Sequence, residues 1–388
     1  MNALEYIPGN RITLLKDGAE FFPALLAAID AAAVDIRIET YIFRNDATGE
    51  QILRALTAAA ARGVKVRVLI DGVGSRETPS NFFYPMRKAG AHLQVFRPDR
   101  QFLNISKSRL RRNHRKIALI DGKVGFVGGI NLIDDMTHSM SLHPRYDYAV
   151  QIEGPVLASI YPTVHVLWRL VAWRRLRRRD LVDEPVPVSR DAVGPHNAAF
   201  VVRDNFRNRR AIEKLYRHAI VDAKKSVLIS SPYFLPGRRF RHILVAAAKR
   251  GVDVTLLLQG RADHPLLQMA TRALYAQLLG AGIAICEYEK SMLHGKVVVI
   301  DDEWATVGSS NLDPFSLFLN REANIVVKDH GFAQQLHASV MAEIEQHATR
   351  CHAQDWLQRP LLERAKSWMA YGFARWVVGM MGVAKQWN

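Results

Sequence analysis

His114-Arg-Lys116-Ile-Ala-Leu-Ile-Asp121, followed by Gly128-Gly129-Ile-Asn131, returns 180 residues later as His294-Gly-Lys296-Val-Val-Val-Ile-Asp301 with Gly308-Ser309-Ser310-Asn311. Both copies read H-x-K-x4-D-x6-G-[GS]-x-N. The apolar run after each lysine has strand character, and on a strand residues two apart face the same way, so each histidine shares a face with its lysine. The glycines let backbone approach closely, and the asparagine adds a neutral amide donor. One His-x-Lys carries little information. Two copies with every accompanying position repeated mark an internal duplication that preserves a chemical site.

The duplication extends outward from the motif. A helical pattern at 19–33 leads into an apolar, β-branched run at 34–43; a second helical pattern at 49–62 leads into the alternating run 64–71. The same order recurs as 211–223, 226–234, 240–250 and 252–259. Arg62-Gly63-Val64 matches Arg250-Gly251-Val252, Tyr41 matches Tyr233, and 93–96 parallels 283–288. Residues 183–197, with Pro185, Pro187 and Pro195, read as a linker. The expected fold is α/β: two halves, each a sheet flanked by helices, related by a pseudo-twofold with a shared site between them. The expected boundaries are 1–182 and 198–345 for the halves, with an amphipathic segment at 346–388.

The chain has 388 residues, 49% hydrophobic and 23% charged, which excludes a disordered, collagenous or coiled-coil protein. Two cysteines, Cys286 and Cys351, are too few for a disulfide framework or zinc cluster and suit a reducing cytosol. The N-terminal stretch lacks a signal-peptide core, and the longest charge-free run, 154–168, holds two prolines and is too short to span a bilayer. Lys and Arg number 53 against 37 Asp and Glu, a formal charge of +16, so a negatively charged partner is expected. The excess is concentrated at 97–116, net +7, and 169–180, net +5. Lys107, Arg109, Arg111, Arg112 and Arg115 run into His114 and Lys116, where anionic headgroups would arrive.

Two histidines facing each other across a dyad can divide the work on a phosphodiester. One imidazole attacks phosphorus and becomes a phosphohistidine, the other protonates the leaving alkoxide, and the second then acts as base in the return step. Paired lysines and asparagines would stabilise the charged transition state without a metal. The acidic pairs Asp134-Asp135 and Asp301-Asp302 are too isolated for a two-metal centre, so EDTA-insensitive activity without a cofactor is expected.

The paired motifs resemble those of the phospholipase D superfamily. Tyr41, Tyr233, Asp71, Gln151-Ile-Glu-Gly-Pro155 and Gly308-Ser-Ser-Asn-Leu-Asp313 are similar to bacterial cardiolipin synthases, most of all the short B-type form, over nearly the whole chain. The resemblance implies His114 as nucleophile and His294 as general acid/base, with Lys116, Lys296, Asn131 and Asn311 on phosphate. Asp121 and Asp301 fall in the catalytic motif, where the superfamily uses them mainly structurally. Asp147 and Glu322, 33 and 28 residues after the histidines, match the carboxylates that orient the imidazoles.

The implied reaction is phosphatidyl transfer between two phosphatidylglycerol molecules, giving cardiolipin and glycerol. A hydrolase releasing phosphatidic acid and a metal-independent nuclease are the alternatives. The long form's N-terminal transmembrane pair has no counterpart in this sequence, so peripheral attachment to the cell inner membrane, on the cytoplasmic side, is expected. One chain carries both motifs, so a monomer suffices.

Three features favour lipid over nucleic acid, the B-type resemblance above all. Leu361, Ala365, Trp368, Gly372, Trp376, Gly379, Val383 and Trp387 repeat at helical steps with Glu363, Lys366 and Lys385 off the stripe, which suits a membrane interface. At 164–179, Val166, Leu167, Trp168, Leu170, Val171 and Trp173 run into six arginines between 169 and 179, a second expected membrane contact.

Overall fold

A computed structural model describes residues 4–98, 111–136, 143–174, 185–205, 207–261, 264–358 and 360–380. The first half runs β1 (Ile7–Lys16), α1 (Asp17–Asp30), β2 (Asp35–Thr40), α2 (Ala47–Ala61), β3 (Lys65–Asp71), α3 (Tyr84–Lys88), β4 (His92–Phe96), β5 (Ile117–Ile120), β6 (Val124–Gly128), β7 (Tyr148–Glu153) and α4 (Leu157–Arg174). The second runs β8 (His196–Arg203), α5 (Ala211–Asp222), β9 (Ser226–Ser231), α6 (Arg238–Lys249), β10 (Asp253–Gln259), α7 (Pro265–Arg272), α8 (Tyr275–Leu279) and β11 (Ala284–Tyr288). It continues through β12 (Val297–Ile300), β13 (Trp304–Gly308), α9 (Pro314–Phe318), β14 (Glu322–Lys328), α10 (His330–His347), β15 (Ala348–Cys351), α11 (Ala353–Leu357) and α12 (Leu361–Met380).

The two halves join in one sheet, ordered β15-β11-β10-β9-β12-β13-β14-β8-β1-β7-β6-β5-β2-β3-β4 among the described residues. The seam is the antiparallel pair β1–β8, with Ile7 opposite Ala198 and Asn10 opposite His196. Outward from it, each half repeats one order: the strand that ends the motif block, its hairpin, then three parallel strands. That symmetry brings the two motif hairpins to the middle of the molecule.

The motif strands are apolar without interruption because both faces are covered. Ile117 and Leu119 of β5, with Val297 and Val299 of β12, face a central core shared by both halves and roofed by α4 and α10. Ala118 and Ile120 face a first-half core under α1 and α2, while Val298 and Ile300 face a second-half core under α5 and α6. Asp46 caps α2 by accepting from Gly49 N at 2.9 Å, and Asp329 caps α10 from Phe332 N at 2.8 Å, which fixes where these helices begin.

Three expectations change. Residues 346–388 are not one amphipathic segment: β15 pairs antiparallel with β11, so the second half extends past 345, and only α12 remains as a tail helix. Of the apolar residues at 164–173, Leu167, Trp168 and Val171 are buried against Leu69 and Phe96 and belong to the core; only Val166 and Trp173 are strongly exposed. Arg175, Arg177, Arg178 and Arg179, the linker start and residues 381–388 lie outside the described residues. Finally, Tyr41 and Tyr233 are not equivalent. Asp35 and Ser226 hold the same place in their halves, each giving its N–H to the motif aspartate, so counting along β2 and β9 sets Tyr233 opposite Ile42 and Pro232 opposite Tyr41.

Candidate active site

Each histidine sits just before its motif strand, and its backbone is tied to the other half. His114 N donates to Arg321 O at 3.0 Å and His294 N to Tyr146 O at 2.8 Å. Those acceptors immediately precede Glu322 and Asp147. The bridges therefore deliver each carboxylate to the opposite histidine: His114 Nδ1 meets Glu322 Oε2 at 3.1 Å, and His294 Nδ1 meets Asp147 Oδ2 at 2.5 Å. In sequence each carboxylate follows the histidine of its own half, whereas the contacts cross between halves. With Nδ1–H given to a carboxylate, the Nε2 of each ring is the atom left for chemistry.

Beneath each carboxylate lies the residue after the motif glycine. A Cβ on Gly129 would stand 2.1 Å from Asp147 Oδ1, so no side chain fits there. The second half places Ser309 at this position, and its hydroxyl donates to Glu322 Oε2 at 2.5 Å. The Ser309 carbonyl also lies 3.2 Å from His114 Nδ1. Neither serine nor glycine signalled this role in sequence, because the motif tolerates both.

Lys116 Nζ donates to His114 O at 2.8 Å, and Lys296 Nζ donates likewise to His294 O. Both lysines are buried, and burial is the main force lowering them, Lys116 to about 7 and Lys296 to about 8. Each feels both Asp147 and Glu322, and Lys116 also feels Lys296, so the two motifs form one cluster of charge. Burial, then Lys296, pushes His294 down to about 3; His114 is lowered too, by burial first, against the pull of Glu322. Burial disfavours charge on Asp147 and Glu322, but the facing imidazoles, lysines and hydrogen bonds outweigh it and hold both below the usual carboxylate range. Before an anion arrives, the site holds neutral imidazoles against ionised carboxylates.

Asn131 Oδ1 accepts from Ile42 N at 3.2 Å, while Asn311 Oδ1 is buried without a hydrogen-bond partner among the described residues. Tyr41 adds a wall: its ring lies 4.9 Å from the His114 ring and 5.4 Å from Lys116 Nζ.

Asp121 and Asp301 do not belong with the catalytic side chains. Each occupies a left-handed turn, at φ 52° and 57°, at the far end of its motif strand. Asp121 accepts from Ala33, Val34 and Asp35 N–H, Asp301 from Lys224, Lys225 and Ser226 N–H, at 2.7–2.9 Å. They fasten the entry of β2 and β9. The basic run before His114 is also spent internally. Arg112 pairs with fully buried Asp71 at 2.6 Å and Arg115 with Glu39 at 2.8 Å, so neither waits for a headgroup; Lys107 and Arg109 lie outside the described residues.

The surroundings of the two dyads differ. Asp147 N donates to Asp17 Oδ1 at 2.7 Å, and Asp17 N returns a bond to Asp147 O at 2.9 Å. Burial, aided by Asp147 and Asp135, pushes Asp17 up to about 7. The corresponding place behind Glu322 holds the Arg203 guanidinium, which donates to Phe318 O and Asn320 O. Acid stands behind one dyad and base behind the other.

A symmetric α/β pair whose halves exchange carboxylates across a central histidine couple defines an enzyme of the PLD-like class. The family model described as "Cardiolipin synthase, PLD-like domain" matches residues 25–162 and 216–343. The chain is 38% identical to cardiolipin synthase B of Salmonella typhi over 376 residues, covering 96% of this chain and 90% of that one. It is 36% identical to cardiolipin synthase B of Escherichia coli K12 over 379 residues, with the same coverage, and 33% identical to a Geobacillus kaustophilus cardiolipin synthase over 70% of that protein. The crystal structure of phosphatidylserine synthase from Haemophilus influenzae Rd KW20 shares the fold, with TM-score 0.73 at 17% identity over 100% of this chain and 98% of that one. The chain belongs to the PLD-like cardiolipin synthase family.

Proposed function

We propose that this protein is a cardiolipin synthase that moves a phosphatidyl group from one phosphatidylglycerol to another without a metal. The observation that carries the reading is the crossed pair of histidine–carboxylate dyads set around two buried lysines. His114 Nε2 attacks phosphorus, the P–O bond to the headgroup glycerol breaks, and His294 Nε2–H gives its proton to that oxygen. In the second step an acceptor's glycerol hydroxyl gives its proton to His294, its oxygen attacks phosphorus, and the N–P bond breaks.

The roles of the two histidines, His114 as nucleophile and His294 as general acid/base, follow the family resemblance. The substrate phosphodiester adds the negative charge that lets His294 take up its proton. Lys116, Lys296, Asn131 and Asn311 bind the phosphate, and Asp147 and Glu322 orient the imidazoles.

The substrate is a phospholipid, and the protein works in association with a membrane. The attachment we infer is peripheral: among the described residues no helix is long and apolar enough to cross a membrane. On α12, Ala370, Tyr371 and Val378 dock on the second-half core, while Leu361, Leu362, Trp368, Met369, Phe373, Trp376 and Met380 are exposed. Tyr371 fixes the helix through its hydroxyl, 3.0 Å from Arg241 Nη1. A docked inner face and an apolar, tryptophan-bearing outer face suit the headgroup boundary. Two free cysteines support the cytoplasmic side. Both dyads come from one chain, so a monomer suffices, and nucleic acid is not the substrate.

The test is purified protein with labelled phosphatidylglycerol, products resolved by chromatography. Cardiolipin plus glycerol is expected, with EDTA present or absent. Phosphatidic acid alone would mark a hydrolase, and DNA cleavage without lipid turnover a nuclease.

A further inference from the structure

Transfer between two lipids asks something of this site that its symmetry does not supply. The leaving glycerol of the donor and the attacking glycerol of the acceptor both stand opposite the nucleophile, beside the general acid/base. That place needs a pocket which selects a polyol over water. The two halves differ there.

In the first half the end of β3 is sealed. Asp71 is fully buried beneath Arg112, and a Cβ on the next residue, Gly72, would meet Arg97 O at 2.5 Å. The corresponding end of β10 carries Gln259, a neutral side chain, and it lines a cavity with Tyr233, Arg261, His264, Gln268 and Tyr275. Gln259 ties this cavity to the catalytic centre: its Oε1 accepts from the N–H of Leu293, the residue before His294, at 2.5 Å. Gln268 Nε2 braces the same strand end, donating to Gly260 O at 2.6 Å and Gln259 O at 3.3 Å. The Tyr233 and His264 rings lie 5.6 Å apart, and Arg145 feels both Tyr233 and Asp147. Through the Gln259–Leu293 bond the cavity is tied to the residue before His294, whereas at the corresponding place in the first half Arg112 covers Asp71.

We propose that this cavity is the glycerol headgroup subsite, holding the donor's leaving glycerol and then the acceptor's glycerol for deprotonation by His294. A tyrosine hydroxyl, an imidazole and a guanidinium suit vicinal hydroxyls next to a phosphodiester, and none of them suits an acyl chain. The displaced register of Tyr233, one position beyond that of Tyr41, places a tyrosine in this cavity where the first half has Ile42. The inference rests on the transferase reading and assigns the residues that decide between transfer and hydrolysis.

The experiment uses the full chain and a phosphatidyl p-nitrophenol donor, whose leaving group does not need the subsite. p-Nitrophenol release reports loading of the histidine. Free glycerol, the bare headgroup, is titrated as acceptor, and phosphatidylglycerol and phosphatidic acid are measured together. Their ratio is independent of how much protein folds. In Tyr233→Phe and His264→Ala the glycerol concentration giving equal transfer and hydrolysis should rise about tenfold, the cost of losing one hydrogen bond to the acceptor. The same glycerol dependence in both variants as in the parent would overturn the subsite. A parent enzyme that makes only phosphatidic acid at every glycerol concentration would overturn the transferase reading instead.

Discussion

His294 Nδ1 lies 2.5 Å from Asp147 Oδ2, although Asp147 follows the other motif histidine in sequence. Glu322 reaches back to His114 in the same way, at 3.1 Å. Neither imidazole is oriented by its own half, so the two halves make one site and not two copies of a site.

The crossing gives the two carboxylates different kinetic signatures. Glu322→Gln should suppress loading, because it weakens His114, the proposed nucleophile. Asp147→Asn weakens His294 in both steps, so with a p-nitrophenol donor, whose leaving group needs no proton, labelled phosphohistidine should build up on His114. Each should cost turnover about 10²–10⁴-fold with folding retained. Acid-quenched peptide mapping reads both, and label on His294 alone would reverse the assignment.

Asp121 and Asp301 behave otherwise. Asp121→Ala or Asp301→Ala removes the acceptor for three backbone N–H groups, a loss of about 1–3 kcal/mol. Denaturant unfolding should show the lower midpoint, while turnover per folded molecule stays near that of the parent. A fall in turnover as large as that of His114→Ala, with stability unchanged, would place them in the chemistry after all.

Lysine burial sets the alkaline limb. Lys116 and Lys296 are lowered to about 7 and about 8, so raising pH through that range removes the ammonium charge proposed to receive the phosphate. Because the lowered group is a base, the loss comes with rising pH, and kcat/KM should fall between pH 7 and pH 9. A profile flat to pH 9 would mean that the phosphate does not depend on these charges.

On α12 the two faces separate binding from stability. Trp368→Ser with Trp376→Ser should weaken sedimentation with phosphatidylglycerol vesicles by roughly tenfold or more while leaving turnover of dispersed short-chain substrate unchanged. Tyr371→Ala loses the bond to Arg241 and should lower the unfolding midpoint. Equal vesicle binding by the tryptophan variant would move the membrane contact elsewhere.

The motif spacing made much of this legible. An uninterrupted Val-Val-Val-Ile announces a strand covered on both faces, and the His-x-Lys step places both side chains on one face. What crosses between halves was not legible, because Asp147 and Glu322 can only be counted from the histidine before them. Charge was misleading for a related reason. Arg112 and Arg115 read as a headgroup-facing patch until Asp71 and Glu39 are seen buried against them. The Tyr41–Tyr233 match failed by one residue, a slip that strand register resolves and similarity of residue type cannot. Asp17, Arg203 and Ser309 gave no sign at all, since their roles depend on neighbours distant in the chain.

The β1–β8 seam has a consequence for the halves taken separately. Cut at the proline-bearing segment, each half would bare a long inner strand whose N–H and C=O groups are satisfied in the whole chain. Because β1 and β8 occupy equivalent places and meet antiparallel, a bared strand would find a ready mate in the same strand of a second copy. A severed half would therefore tend to assemble with its twin, and the covalent tether is what makes unlike halves, one ending β3 in the Asp71–Arg112 pair and one ending β10 in Gln259, the pair that forms.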